Sequence, residues 1–488
     1  MDALSWIYAV LVGTLCLHGL HRYVHLARFW RTVRRDPIVP AMPAELPVVT
    51  VQLPVYNERD VVARLVDAAA ALDWPADRLH IQLLDDSSDD TAACAQGALH
   101  RARTRGLTVE LIQRRDRTGF KAGALAHGLA TARGELVAIF DADFVPPRDF
   151  LRRLVPHFAD PTVGVVQARW GHLNDGDSAL TRAQALMLDA HFRLEHLGRN
   201  RSGAWFNFNG TAGIWRRAAI EAAGGWQGDT LTEDLDLSYR AQAAGWRFVY
   251  RDDVVVPAEL PATLAAFRAQ QSRWAKGSVE TLRKLGARVL RAPVPLWVRA
   301  EALQHLSANL AWPLALGVAL LMPAVALSSG GNTLRHLVLD LPAFFFATVS
   351  HAAFFAAAPL AGDVATPSRA GWRRLIDLPA AVLLGIGMSV NQSRAVYEAL
   401  RGRRSAFVRT PKQGTGTGSY RAALAEGLPV EGLLCAWHLV GILGAVALGH
   451  YGSVPFLALF AVGFGWVATQ SPRRVSAPAS LPTEVLAK

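Results

Sequence analysis

At 488 residues the chain has room for one large globular domain plus several membrane helices. A mean hydropathy of +0.19 with 51% hydrophobic residues excludes an ordinary soluble protein of this size. The net charge of +11 lacks the basic-aromatic module of a nucleic-acid binder, and Cys16, Cys94 and Cys435 are too isolated for a disulfide framework or a zinc site.

The chain opens on an apolar segment, Ala3–Leu20. It has no basic residues ahead of it, and Arg22, Arg28, Arg31, Arg34 and Arg35 follow it. Residues 1–30 are therefore expected to form an uncleaved anchor with its N-terminus outside. Residues 46–293 then alternate short apolar runs with helical stretches, the pattern of an α/β sheet. Strands are expected at Val48–Leu53, Ile81–Leu84, Thr108–Ile112 and Leu136–Phe140, and helices at Arg59–Leu72 and Gly123–Thr131. Ligands in such sheets bind beyond the carboxyl ends of the strands. Those ends carry Tyr56-Asn57-Glu58, Asp85-Asp86 and Asp141-Ala142-Asp143.

A lone Asp-x-Asp says little, because acidic pairs commonly cap helices or sit in turns. Asp141 and Asp143, however, follow the buried run Leu-Val-Ala-Ile-Phe, whose end points at a ligand. Mg²⁺ and Mn²⁺ take such hard oxygen ligands together with substrate phosphate. Asp86 is expected at a base or ribose, with Asp85 as a near alternative, while Ser88–Thr91 cap the next helix. Gly119 and Gly123 flank Lys121 and let backbone approach a ligand, so Lys121 is expected on phosphate. In Thr232-Glu233-Asp234-Leu235-Asp236, Asp234 is the candidate general base. Asp236 is expected to do no more than favour the helix dipole. One base suffices for a single displacement with inversion; a double displacement needs a second, nucleophilic carboxylate that the motif does not supply. On a helix expected over Leu264–Lys284, Gln270-Gln271-Ser272-Arg273-Trp274 sets a planar guanidinium for phosphate beside an indole for a sugar ring.

Beyond residue 293 apolar segments predominate up to about residue 472. Spans are expected near 303–327, 338–360, 430–449 and 453–470, each approaching the ~20 residues that cross ~30 Å of hydrocarbon. Trp312 and Trp437 fall inside them and either line a conduit or simply pack. The basic clusters Arg401-Gly402-Arg403-Arg404 and Arg473-Arg474 suit anionic headgroups of membrane lipids. Residues 473–488 read as a disordered cytosolic tail.

Taken together, Leu53-Pro54-Val55-Tyr56-Asn57-Glu58, Asp85-Asp86-Ser87, Gly119-Phe120-Lys121-Ala122-Gly123, Asp141-Ala142-Asp143 and Thr232-Glu233-Asp234 resemble the membrane-bound family 2 glycosyltransferases. Gln270-x-x-Arg273-Trp274 is similar to the mark of processive members such as cellulose, hyaluronan and mannan synthases. Phe208-Asn209-Gly210-Thr211-Ala212-Gly213 and Glu259-Leu260-Pro261 look closest to the mannan and glucomannan synthase-like group. The resemblance implies an α/β fold, a GT-A domain with a mixed sheet, embedded in an all-α multi-span membrane region. It places Tyr56, Glu58 and Asp86 on the nucleotide and Lys121 and Arg273 on the diphosphate. Asp141 and Asp143 would hold Mg²⁺ or Mn²⁺, and Asp234 would be the base. Asn209, Gly210, Glu233, Gln270 and Trp274 would face the acceptor.

Phe407-Val408-Arg409-Thr410-Pro411-Lys412 is similar to the gating loop of cellulose synthases, with Arg409 in place of the usual Val; Phe407, Thr410 and Lys412 carry the likeness within residues 405–420. If every apolar segment spanned, this loop and both basic clusters would lie outside, against the positive-inside tendency. An interfacial helix near 375–400, with the polar stripe Asn391, Arg394, Glu398 and Arg401, returns them to the cytosol. The resemblance implies a processive, inverting synthase in the plasma or inner membrane. Such an enzyme moves a hexose from UDP-glucose or GDP-mannose to a β-linked glycan, and an accessory export protein can accompany it. The alternative is a glycolipid synthase with a lipid acceptor. No nucleic-acid partner is expected.

Overall fold

Parallel pairing of four strands brings the sequence-predicted ligand residues to one edge. They are β1 (Val49–Val55), β2 (Leu79–Asp85), β3 (Thr108–Gln113) and β4 (Leu136–Ile139). Three further strands, β5 (Val163–His172), β6 (Gly213–Arg216) and β7 (Arg247–Ala258), complete a mixed sheet in the order β3-β2-β1-β4-β6-β5-β7. The computed structural model describes residues 3–33, 39–114, 116–328, 341–361, 370–403, 405 and 430–470. The gating-like residues Phe407, Thr410 and Lys412 and the tail 473–488 lie outside them.

Registry explains how distant segments meet. Val55 pairs with Asp85, so Tyr56 and Asp86 leave the sheet side by side. Gln52 pairs with Ile139, which brings Asp141 to the same level. Antiparallel β6 sets Gly213 opposite Ile139 and so delivers the 209–212 loop to Asp141. There the Asp141 amide donates to Thr211 Oγ1 at 2.9 Å. β1 and β2 are buried on both faces, but one face carries the polar pairs Thr50 with His80 and Gln52 with Gln82, the latter joined at 3.0 Å.

One face of the sheet packs on the Val62–Ala70 and Thr91–Thr104 helices through Leu65, Val66, Ala95 and Leu99. The other face extends its core into the apolar segments. Phe29 of the Ala3–Thr32 helix and Phe354 of the Ser350–Leu360 helix share a cluster with Leu125, Val137 and Trp215. Ion pairs secure this junction. Glu301 receives His21 at 3.0 Å, Arg28 at 2.6 Å and Arg199 at 3.1 Å. His21, His25 and Glu301 have the spacing of metal ligands. Two guanidinium groups already balance Glu301, so the cluster reads as an ionic clasp between the first helix and the domain.

Among the described residues, five helices are long and apolar enough to cross a membrane: Ala3–Thr32, Leu296–Ser328, Gly371–Leu400, Val430–Ala447 and Tyr451–Gln470. This set differs from expectation at two places. The described part of the 338–360 segment is a shorter helix, Phe345–Leu360, and the helix expected to be interfacial meets the length criterion. Both ends of that helix are nevertheless pinned to the sheet domain. Asp377 accepts from Arg182 at 2.8 Å and Arg374 reaches Asp189 at 2.6 Å. At the other end Glu398 pairs with Lys276 at 3.2 Å and Ala399 O accepts from Arg283 at 2.5 Å. The same helix also packs on the Val454–Gln470 helix, through Ala381, Leu384, Met388 and Val467. Its polar stripe is met mainly by the Leu264–Leu290 helix, where Asn391 donates to Arg268 O at 3.1 Å.

Candidate active site

Two adjoining cavities lie at the carboxyl edge of the sheet. The smaller, about 190 Å³, is lined by every residue expected on donor, metal or acceptor among the described residues, except Asp85. Asp85 is 2% exposed and turned inward. Its oxygens accept from the Ser87 amide and from Gln113 Nε2, each at 3.0 Å, so it braces the turn and does not reach the ligand space. Asp86 does line the cavity, and both its oxygens are bound by Arg114. The expected capping by Ser88–Thr91 is also refined: Asp89 Oδ1 accepts from the Thr91 amide at 3.0 Å.

Among the described residues, three other than glycine adopt left-handed backbone, Asn57, Phe120 and Ala212. All flank the cavity, in keeping with backbone strain concentrated at functional sites. Gly210 shows why a loop must be bare here. At φ +81°, an added Cβ would lie 3.0 Å from Asp234 Oδ2 and 3.3 Å from Lys121 Nζ. Gly277 does similar duty on the Leu264–Leu290 helix, where a Cβ would come within 2.5 Å of Thr232. That close approach sets Arg273 and Trp274 against the start of the Glu233–Ala243 helix.

The donor half holds a compact charge cluster. Lys121 Nζ lies 2.5 Å from Asp141 Oδ1, 3.0 Å from Gly210 O and 4.0 Å from Glu233. Burial alone would lower the Lys121 pKa, but Asp141 and Glu233 raise it, so it stays charged. Asp143 is 3% exposed at the cavity wall. An ammonium already sits on the Asp141 carboxylate, which shows that this oxygen pair is built to receive positive charge. The hard donor set of Asp141 and Asp143 fits a divalent cation.

Asp234 is pushed up to about 7 by burial first and by the Glu233 carboxylate second, against the pull of Lys121. Burial likewise raises Glu233. If Asp234 is the general base expected from the sequence, it must be ionised to accept a proton, and activity should fall about tenfold per pH unit below roughly pH 7. Positive charge added by a cation should move that limb to lower pH. A pH profile of kcat/KM at several cation concentrations checks both statements.

Asp236 corrects the expectation of a dipole-favouring residue. It is fully buried, paired with Arg240 at 2.6 Å and with Lys284 at 3.0 Å. Removing one partner of a buried pair costs about 3–5 kcal/mol. Asp236→Ala should therefore unfold the domain far more readily than Asp229→Ala, whose exposed pair with Lys284 contributes at most about 1 kcal/mol. Thermal melts of both variants decide this.

Several site residues escaped the sequence analysis. Arg117 lies 3.2 Å from the centroid of the Tyr56 ring and lines the same cavity. Trp170, at the end of β5, lines both cavities with its ring centroid 6.3 Å from that of Trp274. Its place at a strand end was the available signal. Fully buried Gln167 accepts from the Asn209 amide and donates to Thr211 O and Ala212 O, each at 3.1 Å. Nothing local in the sequence marks that role.

The second cavity, about 570 Å³, shares Asn209, Asp234, Gln270 and Trp274 with the first and continues among the apolar helices. His18, Gln304, Asn309, Trp312 and Gln392 line it. Trp437 does not; its indole donates to Leu320 O at 3.0 Å.

Residues 47–277 match the model of the glycosyltransferase-like family 2. The chain is 46% identical over 253 residues to glucomannan 4-beta-mannosyltransferase 2 of Arabidopsis thaliana, covering 51% of this chain and 47% of that protein. It is 45% identical over 257 residues to a probable glucomannan 4-beta-mannosyltransferase 3 of Oryza sativa subsp. japonica, with the same coverage of 51% and 47%. The chain thus spans about half the length of these curated relatives. A mannosyltransferase from Pyrobaculum calidifontis, solved with GDP-Man and Mn²⁺, shares the fold at a TM-score of 0.56 and 24% identity, over 81% of this chain and all of that one. Residues 47–277 therefore match a family 2 glycosyltransferase domain of the GT-A fold and are similar to the named glucomannan mannosyltransferases.

Proposed function

We propose that the protein is an inverting hexosyltransferase of a membrane, moving mannose from GDP-mannose to the end of a growing β-linked polysaccharide. The relatives named for mannosyl transfer and the neighbour holding GDP-Man support mannose over glucose. Processive growth and export rest chiefly on one observation. The cavity at Asp234 and Trp274 runs on between apolar helices behind a polar lining of His18, Gln304, Asn309 and Gln392. A glycan leaving the site has hydrogen-bonding partners along that path.

In this reading Tyr56 stacks the base while Glu58 and Asp86 border it. Lys121 and Arg273 stand at the diphosphate, and Trp274 with Trp170 supports the acceptor ring. Asp234 takes the proton of the attacking hydroxyl as its oxygen bonds to the anomeric carbon and the nucleoside diphosphate departs from the opposite side. Asp141 and Asp143 would hold Mn²⁺ or Mg²⁺, which supplies positive charge against the diphosphate leaving group. Asp143→Asn should weaken donor binding in the presence of Mn²⁺ by about 100-fold, on the scale of losing one charged contact. Calorimetric titration with GDP-mannose, with and without Mn²⁺, checks this.

The same cavity carries Met322, Phe355, Phe456 and Phe460, an apolar wall that favours a second reading, transfer of one hexose to a membrane lipid. The catalytic domain is assigned to the cytosolic face of the plasma or inner membrane. An accessory export protein on the far side would fit. Purified protein given Mn²⁺ and, in parallel, labelled GDP-mannose or UDP-glucose should make long polymer from GDP-mannose. A solvent-extractable product bearing a single sugar would overturn the polymer reading.

A further inference from the structure

Asn209 lines both cavities, and its side-chain oxygen Oδ1 is buried with no hydrogen-bond partner. The backbone at this residue is held by Gln167. What remains to be set is the rotation of the carboxamide, which decides whether an acceptor or a donor faces the ligand space. The group beside it is His191, whose Nε2 lies 3.5 Å from Asn209 Nδ2.

His191 begins a π-helical turn, His191–His196, set between the Ala179–Ala190 and Leu197–Ser202 helices. Such turns interrupt helices mostly where a side chain must be aimed. On this turn His191 Nδ1 meets Glu195 Oε2 at 3.4 Å. Glu195 is buried, and burial opposes its charge. The His191 hydrogen bond together with His25 and Arg199 nevertheless holds its carboxyl well below the usual range. Arg22 lies 3.4 Å from it as well. An ionised carboxylate only accepts, so Nδ1 carries the ring proton and Nε2 is the acceptor. An accepting Nε2 calls for the Asn209 amide N–H, and that orientation leaves Oδ1 turned to the site.

We propose that His191 is a positioning residue for the acceptor: with Glu195 behind it, it turns the Asn209 carboxamide so that Oδ1 receives a hydroxyl of the incoming sugar. This rests on the glycosyltransferase reading above. Both bonds of the chain are long here, as such bonds often are before substrate tightens them. The role concerns binding of the acceptor alone; the donor half touches neither His191 nor Glu195.

The test compares His191→Leu with His191→Gln in steady-state transfer, varying the acceptor at saturating GDP-mannose and Mn²⁺. Leu keeps the volume but neither hydrogen bond; Gln can donate to Glu195 and accept from Asn209. His191→Leu should raise the acceptor KM about tenfold with a smaller effect on kcat, and His191→Gln should recover most of that loss. On an Asn209→Ala background the Leu substitution should add nothing further. Equal acceptor KM in all three proteins, a Gln variant as poor as Leu, or full additivity with Asn209→Ala would overturn the proposal. GDP affinity measured on each variant with Mn²⁺ should match wild type; a parallel loss of it in both variants would mark a structural role and overturn the proposal too. Transfer by the wild type tests the glycosyltransferase reading, whereas only the ratios between variants test His191.

Discussion

With Asp234 as the proposed base and GDP-mannose as the proposed donor, Asp234→Asn is expected to lower transfer by about 10²–10⁴-fold while leaving GDP-mannose affinity close to that of the wild type. The range is that of a lost general base. Asparagine keeps the shape of the side chain and its hydrogen bond from the Leu235 amide, which is 2.8 Å from Asp234 Oδ1. It cannot take the acceptor proton. Stability should move the other way. The folded pKa of Asp234, about 7, lies above the unfolded value, so stability declines as the pH rises between the two and the full cost of the buried charge is present above about 7. At pH 8 the neutral variant escapes this cost, and its melting temperature should equal or exceed the wild type's. Below the unfolded pKa the wild-type carboxyl is protonated in both states, and the difference should vanish. Steady-state assays and melts at two pH values check both halves.

The second large effect is expected at Lys121. This ammonium faces Asp141, Glu233 and Asp234 at once. Lys121→Met leaves three carboxylates around one buried space, with Arg273 still facing them. Donor affinity should fall by about 100-fold, since a diphosphate then meets uncompensated negative charge. The acid limb of the pH profile should shift upward, because the cation that lowered the Asp234 pKa is gone. Raised Mn²⁺ should recover part of the donor binding, as the added cation replaces some of the missing charge. A variant with unchanged donor affinity would remove Lys121 from the diphosphate site.

Much of this site was legible because its residues follow short, well-bounded strands. The ends of β1, β2 and β4 are local features, and each carries polar residues directly after a buried run. Lys121, Asp234, Arg273 and Trp274 could be read from the chemistry of their neighbours. Asp85 and Asp86 could not be separated by pattern, since the choice turns on which of two adjacent carboxylates the Gln113 amide takes. Asp236 was missed for a similar reason: its partners Arg240 and Lys284 stand on two helices that meet only in the fold.

Strands β5 to β7 went unassigned because charge interrupts their alternation. β7 carries Arg251-Asp252-Asp253 in mid-strand, where the register with β5 shifts between Ala168 and Arg169. The π turn at His191 has no signature in composition at all, being a matter of one extra residue in a helical circuit. The helix ending at Leu400 shows the opposite lesson. Its hydropathy suits a membrane span, and its ion pairs at both ends tie it to the sheet domain.

The most direct measurement is a structure of the protein with Mn²⁺ and an unreactive GDP-mannose analogue. The cation is expected at Asp141 and Asp143, and the Asp234 carboxylate on the side of the sugar's anomeric carbon opposite the diphosphate. A cation bound elsewhere, or Asp234 lying far from that carbon, would contradict single-displacement transfer by these residues.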